Sequence, residues 1–413
     1  MGMARSATRP VTSPAPARET LAATRLTTAP APSLRPGPRA VIRLQHPEPP
    51  DPQDIFKYYA MACEAAFYSN GGPCAALLAE HLGYYLGSDT IAIPVGNCTV
   101  GLMVALRGAC GAPSGTRRRI ITPSYTFTAT ACAIAWAGFE PVFVDVEADG
   151  WHIDPVALEQ ALEQYGDTVA GVLACATFGT PPASVQRSAW RSACERHGVP
   201  LLIDSAPGFG AADDQGRPLG GLGDTEIFSF HATKPFAVGE GGLIATGDHA
   251  LAERIGRLIN FGLEPGSRAS VEIGMNAKMS ELHAAAGLAM LDRIDDVVRR
   301  RRENAQRLHQ AIADLPFTAQ AGSDRSTWQI FHLLAPTPEI RDRCLELAPQ
   351  HAIEIRTMHA PVLHHQPAFA DALHGPLPVT ESLSRRALAL PMANQLPEDA
   401  YERIPALLRA ACA

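Results

Sequence analysis

One lysine stands where an apolar strand ends and a glycine cluster begins. Lys234 follows the apolar run Glu226–His231, and Gly239, Gly241 and Gly242 come soon after it. A lysine held among apolar side chains has a lowered pKa, because burial disfavours its charged form. The neutral amine is a nucleophile that can form a Schiff base with an aldehyde or ketone. The alternative is a lysine that closes a loop and faces water.

Two further strand exits carry residues suited to ligand binding. Asp204 ends the apolar run Pro200–Asp204, where a carboxylate could hold a protonated ring nitrogen or simply cap the next turn. Cys98 and Thr99 open a helix just after the run Ile91–Val95. Backbone N–H groups at a helix N-terminus bind anions such as phosphate, although this helix start also fits an ordinary N-cap.

Weaker candidates lie near these strand exits. An aromatic side chain in the segment Pro123–Thr130 could cover a planar ligand or belong to the core. Ser229, at the end of its strand, could bind a phosphate or cap the strand. Three histidines cluster among prolines: His359, His364 and His365. No carboxylate or cysteine that could join them as a metal ligand lies beside them in the sequence. We therefore expect a loop there and no metal site.

The elements that must position these residues alternate between strand and helix. Helical patterns such as Thr99–Leu106, Pro155–Gln164 and Val185–His197 separate apolar runs that predict strands. The runs are Ile91–Val95, Arg119–Thr122, Pro141–Asp145, Val169–Cys175, Pro200–Asp204, Glu226–His231 and Gly242–Thr246. This alternation predicts an α/β fold with a mostly parallel, doubly wound sheet. Ligands of such sheets bind at the carboxyl ends of the strands.

The chain divides into three parts by pattern. Residues 1–50 are rich in Pro, Ala, Thr, Ser and Arg and predict a disordered or loosely held tail, with a partner-binding or targeting arm as the alternative. Residues 51–313 form a large domain that ends in one long predicted helix at about 278–313, where Leu288, Leu291, Ile294 and Val298 recur at spacings of three and four. Residues 314–413 predict a smaller α+β domain.

Composition argues against several classes of protein. The 413 residues carry a net charge of −7, which gives no basic footprint for nucleic acid. No apolar stretch reaches about 18 residues, the length that would predict a membrane span. The arginine-containing N-terminus has no apolar segment of the kind found in secretory signals. Nine scattered cysteines without a CxxC pair favour reduced thiols and a cytoplasmic location.

Several motifs together resemble the DegT/DnrJ/EryC1/StrS family of pyridoxal-phosphate sugar aminotransferases. The resemblance covers the chain from about residue 70 to the C-terminus. It depends on the order and spacing of five segments: Phe228–Lys234 with Gly239–Gly242, Gly274–Leu282, Pro123–Ala131, Pro141–Asp145 and Leu390–Met392.

The resemblance implies a fold-type-I aminotransferase with a seven-stranded sheet in the large domain, a small C-terminal domain and a homodimer. It implies that Lys234 forms the Schiff base with pyridoxal 5′-phosphate and that Asp204 pairs with the pyridine nitrogen. It further implies that Phe127 stacks on the ring. The remaining implied contacts are to phosphate, from the Cys98 and Thr99 amides, the Ser229 hydroxyl and, across the dimer, Asn276.

Three departures from the family pattern bear on function. The usual Ser-Gly-Thr phosphate turn reads Asn97-Cys98-Thr99, whose amides can still bind phosphate. Pro207 replaces a Gln or His that follows the aspartate, and the common His-x-Tyr-Gly-Gln stretch reads Ala176–Thr180. Both of the latter changes lie where the substrate is expected.

These patterns predict amino transfer from an amino acid, with glutamate expected by resemblance, to a keto sugar linked to a nucleotide. A cyclitol or other carbocyclic ketone is the main alternative acceptor. A sugar dehydratase is disfavoured, because that branch of the family replaces the lysine with histidine. A non-enzymatic regulator is disfavoured because the lysine, aspartate, serine and asparagine are all retained.

Overall fold

The structure is a computed structural model that describes residues 40–87, 89–222 and 224–413. Its strands are β1 (Ile91–Val95), β2 (Arg119–Pro123), β3 (Glu140–Val144), β4 (Val169–Cys175), β5 (Leu201–Asp204), β6 (Thr225–Ser229), β7 (Gly242–Thr246), β8 (Phe331–Leu334), β9 (Arg356–Thr357), β10 (Leu373–His374) and β11 (Ala387–Leu390). Eight strands form one sheet in the order β1-β7-β6-β5-β4-β2-β3-β10, and three form a second in the order β8-β11-β9.

Helices cover both faces of the large sheet. They are α1 (Pro52–Glu64), α2 (Pro73–Leu86), α3 (Cys98–Cys110), α4 (Thr128–Trp136), α5 (Pro155–Tyr165), α6 (Ser184–His197), α7 (His249–Leu258), α8 (Glu281–Leu291), α9 (Ile294–Ala311), α10 (Pro338–Leu347), α11 (Pro378–Arg386) and α12 (Ala400–Cys412). One apolar core joins the sheet to α3, α4 and α7, and a second joins the other face to α1, α2, α5, α6 and α8. A third surrounds the small sheet with α9, α10 and α12.

The α/β fold class is confirmed, and the strand positions agree closely with the apolar runs. The first seven strands along the chain all belong to the large sheet, as expected. The eighth is the two-residue β10, which pairs in parallel with β3. It comes from the segment predicted to form the small domain, so periodicity gave no sign that it would join the large sheet.

The single long helix predicted at 278–313 is two helices in the structure. Helix α8 ends at Leu291, and Arg293 leaves helical geometry with φ of −121° before α9 begins. The side chain of Asp292 accepts a hydrogen bond of 2.9 Å from the Tyr58 hydroxyl of α1 at this break. Helix α8 is buried on nearly all sides, whereas α9 exposes its basic run. The apolar spacing of three and four residues continues from α8 into α9, which is why the sequence predicted a single helix.

The expected tail at 1–50 lies mainly outside the described residues. Its last part, residues 40–50, packs against the C-terminal region: Ile42 and Leu44 are 5% and 4% exposed. The Ile42 amide donates to the Ala352 oxygen at 2.9 Å. Residues 40–50 are therefore held by the C-terminal part of the chain.

Among the described residues, no helix combines the length and apolar character needed to cross a membrane. All nine cysteines lie within the described ranges, and none of them forms a disulfide.

Candidate active site

Most of the predicted site residues lie at one edge of the large sheet, where several strands have their carboxyl ends. Strands β1, β2, β5 and β6 run in the same direction and end at this edge, and the antiparallel β7 begins there. Asp204 ends β5 and Ser229 ends β6, and Ser229 pairs with Gly242, the first residue of β7. The topology thus gathers residues that are far apart in the sequence at the expected ligand-binding edge.

The start of helix α3 provides free backbone donors at this edge. The Asn97 side chain caps the helix by accepting from the Val100 amide at 2.9 Å. Cys98 and Thr99 are the first two helical residues, and N–H groups in a first turn have no acceptor within the helix. A Cβ on Gly242 would lie 2.8 Å from the Cys98 nitrogen. Position 242 therefore requires glycine, because any larger side chain would collide with the backbone at the start of α3.

Asp204 is a buried carboxylate with a partner on each oxygen. It is 4% exposed. Its Oδ2 accepts a 2.7 Å hydrogen bond from the Thr130 hydroxyl, and its Oδ1 accepts one of 3.1 Å from the Ala206 amide. Burial raises the pKa of the Asp204 carboxyl, whereas the two hydrogen bonds and the charge of Lys234 act in the opposite direction. A cationic ligand group here would favour the ionised form.

Lys234 presents its amine among buried polar groups. Its Nζ donates to Oε1 of Gln329 at 3.1 Å. Burial of the amine lowers the pKa of Lys234, and its neighbours Cys98, Asp204 and Cys175 oppose that shift. The lowered pKa makes the nucleophilic neutral amine available at a lower pH.

Lys234 differs from the other lysines of the chain, which are Lys57 and Lys278. Lys57 is exposed on α1. Lys278 donates to Oδ1 of Asn260 at 2.8 Å, away from Asp204. Burial lowers the pKa of Lys278 as well, but no carboxylate accompanies it. Of the three lysines, Lys234 is the one that combines burial with a buried aspartate.

The other predicted residues differ in how closely they approach this pair. The hydroxyl of Ser229 accepts a hydrogen bond of 3.3 Å from the His231 amide. Phe127 precedes α4 at the same sheet edge, but its side chain is 65% exposed. Asn276 is exposed on the loop before α8 and pairs through its backbone with Asn260. In one chain, therefore, Asn276 does not join the group around Lys234 and Asp204.

Three neighbours of the site were missed by sequence reasoning: Thr130, Gln329 and Cys175. Thr130 is the last residue of the segment Pro123–Thr130 that was singled out for its aromatic side chains, so its position near the site had a weak sequence signal. Gln329 and Cys175 come from distant segments and had none. His359, which the sequence placed in a loop with His364 and His365, lies close enough to Lys234 to feel its charge. Burial raises the pKa of Cys175 to about 12 and lowers that of His359 to about 3, so both are neutral near pH 7. His359 stacks on Phe178 with ring centroids 5.0 Å apart.

Comparison with known proteins identifies the family. The chain matches the DegT/DnrJ/EryC1/StrS aminotransferase family over residues 51–409, and it belongs to that family. Protein MT3510 of Mycobacterium tuberculosis is 33% identical over 385 residues, 92% of each chain. The dTDP-4-amino-4,6-dideoxy-D-glucose transaminase of Shigella dysenteriae is 28% identical over 374 residues, 89% of this chain and 98% of that protein.

A solved structure shows the same fold. DesI, crystallised in the presence of its TDP-sugar product, is 32% identical and superposes with a TM-score of 0.80 over 91% of this chain and 93% of its own. Family membership and these similarities define the chain as a pyridoxal-phosphate-dependent aminotransferase.

The residues at the sheet edge fit pyridoxal phosphate. The aldehyde requires a lysine that can lose its charge, and burial lowers the pKa of Lys234. The ring nitrogen requires a carboxylate with accepting capacity to spare. Each Asp204 oxygen accepts one hydrogen bond in the structure and has room for another. The phosphate requires donors in an open cradle, which a side chain larger than that of Gly242 would close.

Proposed function

We propose that this chain is a cytosolic aminotransferase that transfers an amino group from an amino acid, with glutamate the expected donor, to a keto sugar linked to a nucleoside diphosphate. The observation that carries the proposal is that the amine of Lys234 and the buried carboxylate of Asp204 lie near enough at the carboxyl ends of the strands for the charge of each to shift the pKa of the other. The nucleotide-sugar acceptor is supported by two relatives, the Shigella transaminase and DesI, whose names specify such sugars.

The roles proposed for the side chains follow from their positions. Bound pyridoxal phosphate supplies an aldehyde that captures the amino group and a ring that takes up electrons from the substrate carbon. Lys234 acts as the nucleophile for that aldehyde and, when released by the donor, moves a proton at the substrate Cα. Asp204 accepts the ring N–H.

The remaining predicted residues hold the cofactor in place. The Cys98 and Thr99 amides and the Ser229 hydroxyl bind the phosphate in this proposal, which is supported by the position of Gly242, paired with Ser229 and next to the Cys98 nitrogen. Phe127 covers the ring, and the exposure of its side chain leaves room for that contact.

We also propose that the active form is a homodimer with shared sites. An exposed apolar face supports this arrangement: Trp136, Ile273 and Met275 are 79%, 88% and 36% exposed and line a common cavity of about 180 Å³. Exposed apolar patches of this kind are typical of protein interfaces. Asn276 is next to Met275 in the chain, so pairing through this face would carry it toward the partner's cofactor, as the family resemblance implies.

Because the chain has only three lysines, the proposed role of Lys234 in binding the cofactor aldehyde can be tested directly. Reducing the purified holoenzyme with borohydride converts an imine into a stable secondary amine, and peptide mass mapping then identifies the modified lysine. We expect the pyridoxyl group on Lys234 and none on Lys57 or Lys278. The Lys234→Ala variant should lose the visible absorbance of the bound cofactor and all measurable turnover, whereas Lys57→Ala on exposed α1 should keep both.

The acceptor is tested separately, beginning with the holoenzyme in its aldehyde form. Glutamate should bleach the visible absorbance, and a nucleotide-linked keto sugar should restore it. Restoration by a cyclitol ketone alone would replace the acceptor in the proposal and leave the amino-transfer chemistry standing. Labelling of another lysine, or full turnover by Lys234→Ala, would refute the chemistry itself.

A further inference from the structure

A second group of ionisable side chains meets outside the aminotransferase site. His364 and His365 lie in the turn Leu363–His365, and Glu381 lies on α11. The Nε2 atoms of His364 and His365 are 3.0 and 2.9 Å from the same carboxylate oxygen, Oε1 of Glu381. The three side chains thus converge on one point from two elements.

This arrangement supplies the carboxylate that the local sequence lacked. The sequence predicts no metal site because no acidic residue accompanies the histidines, but folding brings α11 back against the turn. His359 does not take part, since it packs on Phe178 and Tyr125.

The spacing of the three groups is close to that of metal ligands. One potential ligand atom from each side chain lies within 4.8 Å of the other two. A tetrahedral zinc ion with bonds of about 2.0–2.1 Å to nitrogen and about 2.0–2.2 Å to oxygen separates its ligand atoms by about 3.4 Å. The two histidine–glutamate distances need to expand by only a few tenths of an ångström to admit such an ion.

The environment of His364 orients its ring as in known metal sites. Its Nδ1 is 2.7 Å from the Ser124 hydroxyl, and its backbone N–H donates to that same oxygen at 3.2 Å. Metal-binding histidines usually anchor the second ring nitrogen in this way, which fixes the ring orientation and the tautomer. The side chain of His364 is only 5% exposed, so this orientation is held by the fold.

The outer side of the cluster is open and carries one more histidine. The His365 side chain is 53% exposed, so solvent can reach the group. The His374 ring lies 5.0 Å from that of His364. Its Nδ1 donates to the Gly375 carbonyl at 2.8 Å, and because a carbonyl only accepts, the neutral ring keeps its free lone pair on Nε2. A water molecule can therefore complete a four-ligand shell from the open side.

We propose that His364, His365 and Glu381 bind one divalent transition-metal ion, with zinc the fitting choice. Two imidazoles and a carboxylate are ligands that zinc accepts. The ion would link the turn at 363–365 and α11 to Ser124. That serine follows β2 and stands three residues before Phe127, so the ion would brace the segment that borders the cofactor site.

The proposal is tested by metal content and affinity. The full-length, tag-free holoenzyme is loaded with zinc, dialysed against metal-free buffer and analysed by inductively coupled plasma mass spectrometry. We expect about one zinc per chain. Competition with a chromophoric chelator should show that His365→Gln and Glu381→Gln bind zinc at least tenfold more weakly. Ser124→Ala, which removes the hydroxyl that holds the ring and backbone of His364 but no ligand, should cost about 10–100-fold.

Controls separate this site from other zinc-binding groups. His249→Gln removes an exposed histidine at the start of α7, distant in sequence from the cluster, and should bind zinc as the unaltered enzyme does. X-ray absorption should show nitrogen or oxygen neighbours at about 2.0–2.1 Å and no sulfur at about 2.3 Å.

Three outcomes would overturn the proposal: no zinc retained after dialysis, undiminished binding by both His365→Gln and Glu381→Gln, or a sulfur-containing shell. The first two would mean that the cluster is only a carboxylate accepting two imidazole N–H groups. The cofactor absorbance of each sample, recorded in parallel, reports separately on whether the aminotransferase site is intact.

Discussion

The hydrogen bond from Thr130 to Asp204 offers a sensitive test of the site. Thr130→Val keeps the shape of the side chain but removes the hydroxyl that donates to Oδ2 of the buried Asp204 carboxylate at 2.7 Å. A hydrogen bond to a charged group contributes about 1.5–3 kcal/mol. Because that hydrogen bond favours the charged form, its removal should raise the pKa of Asp204 further. The substitution therefore weakens the carboxylate as a partner for the ring nitrogen.

The expected consequence is a loss of cofactor affinity and of rate. If the full hydrogen-bond energy is lost when the protonated ring is bound, kcat/KM for the donor half-reaction should fall about 10–100-fold. Stopped-flow measurement of cofactor bleaching by glutamate gives the rate, and equilibrium dialysis gives the affinity for pyridoxal phosphate. Thr130→Ser restores the hydroxyl and should recover most of both quantities.

Two comparisons distinguish this role from a general packing effect. Thr128→Val alters the same helix but removes a hydroxyl that bonds Gln366 at 3.3 Å and not Asp204, so it should retain nearly full activity. In an Asp204→Asn background, Thr130→Val should cause little further loss, since the interaction energy of a coupled pair appears as non-additivity. Equal rates for Thr130→Val and Thr130→Ser, or losses that add fully to those of Asp204→Asn, would refute the reasoning.

Two further predictions concern stability and assembly. Burial lowers the pKa of His332 to about 3 and that of His152 to about 4 from 6.5. The unfolded chain therefore takes up protons first as the pH falls from about 6.5, and between pH 7.5 and 5.0 each histidine should cost about 2 kcal/mol of unfolding free energy. Urea unfolding at the two pH values measures the loss, and a His332→Phe variant that kept the full pH dependence would contradict the assignment. For assembly, Ile273→Asp should shift the proposed dimer to monomer in sedimentation velocity, because an unpaired charge is costly to bury, while Val185→Asp on α6 should not; a monomeric unaltered chain would rule out the dimer.

Much of the fold could be derived from local sequence. Apolar runs located the seven main strands within about one or two residues at most ends, because strands covered on both faces must be apolar almost throughout. The break between α8 and α9 could not be derived in this way, since the apolar spacing of Leu288, Leu291 and Ile294 continues across it. The eighth strand was missed because two residues, Leu373 and His374, carry no periodicity.

For the candidate site, the sequence by itself determined the chemical groups and their order along the chain. The lysine beside its glycines, the aspartate at a strand end and the helix start at Cys98 indicated a cofactor site, because each is a local combination of residue type and strand exit. Only the tertiary structure supplied Thr130 and Gln329 as partners and Glu381 beside the paired histidines. Those contacts join segments up to 95 residues apart. Which side chains meet is decided by how the helices and strands pack against one another, and no local sequence pattern encodes that packing.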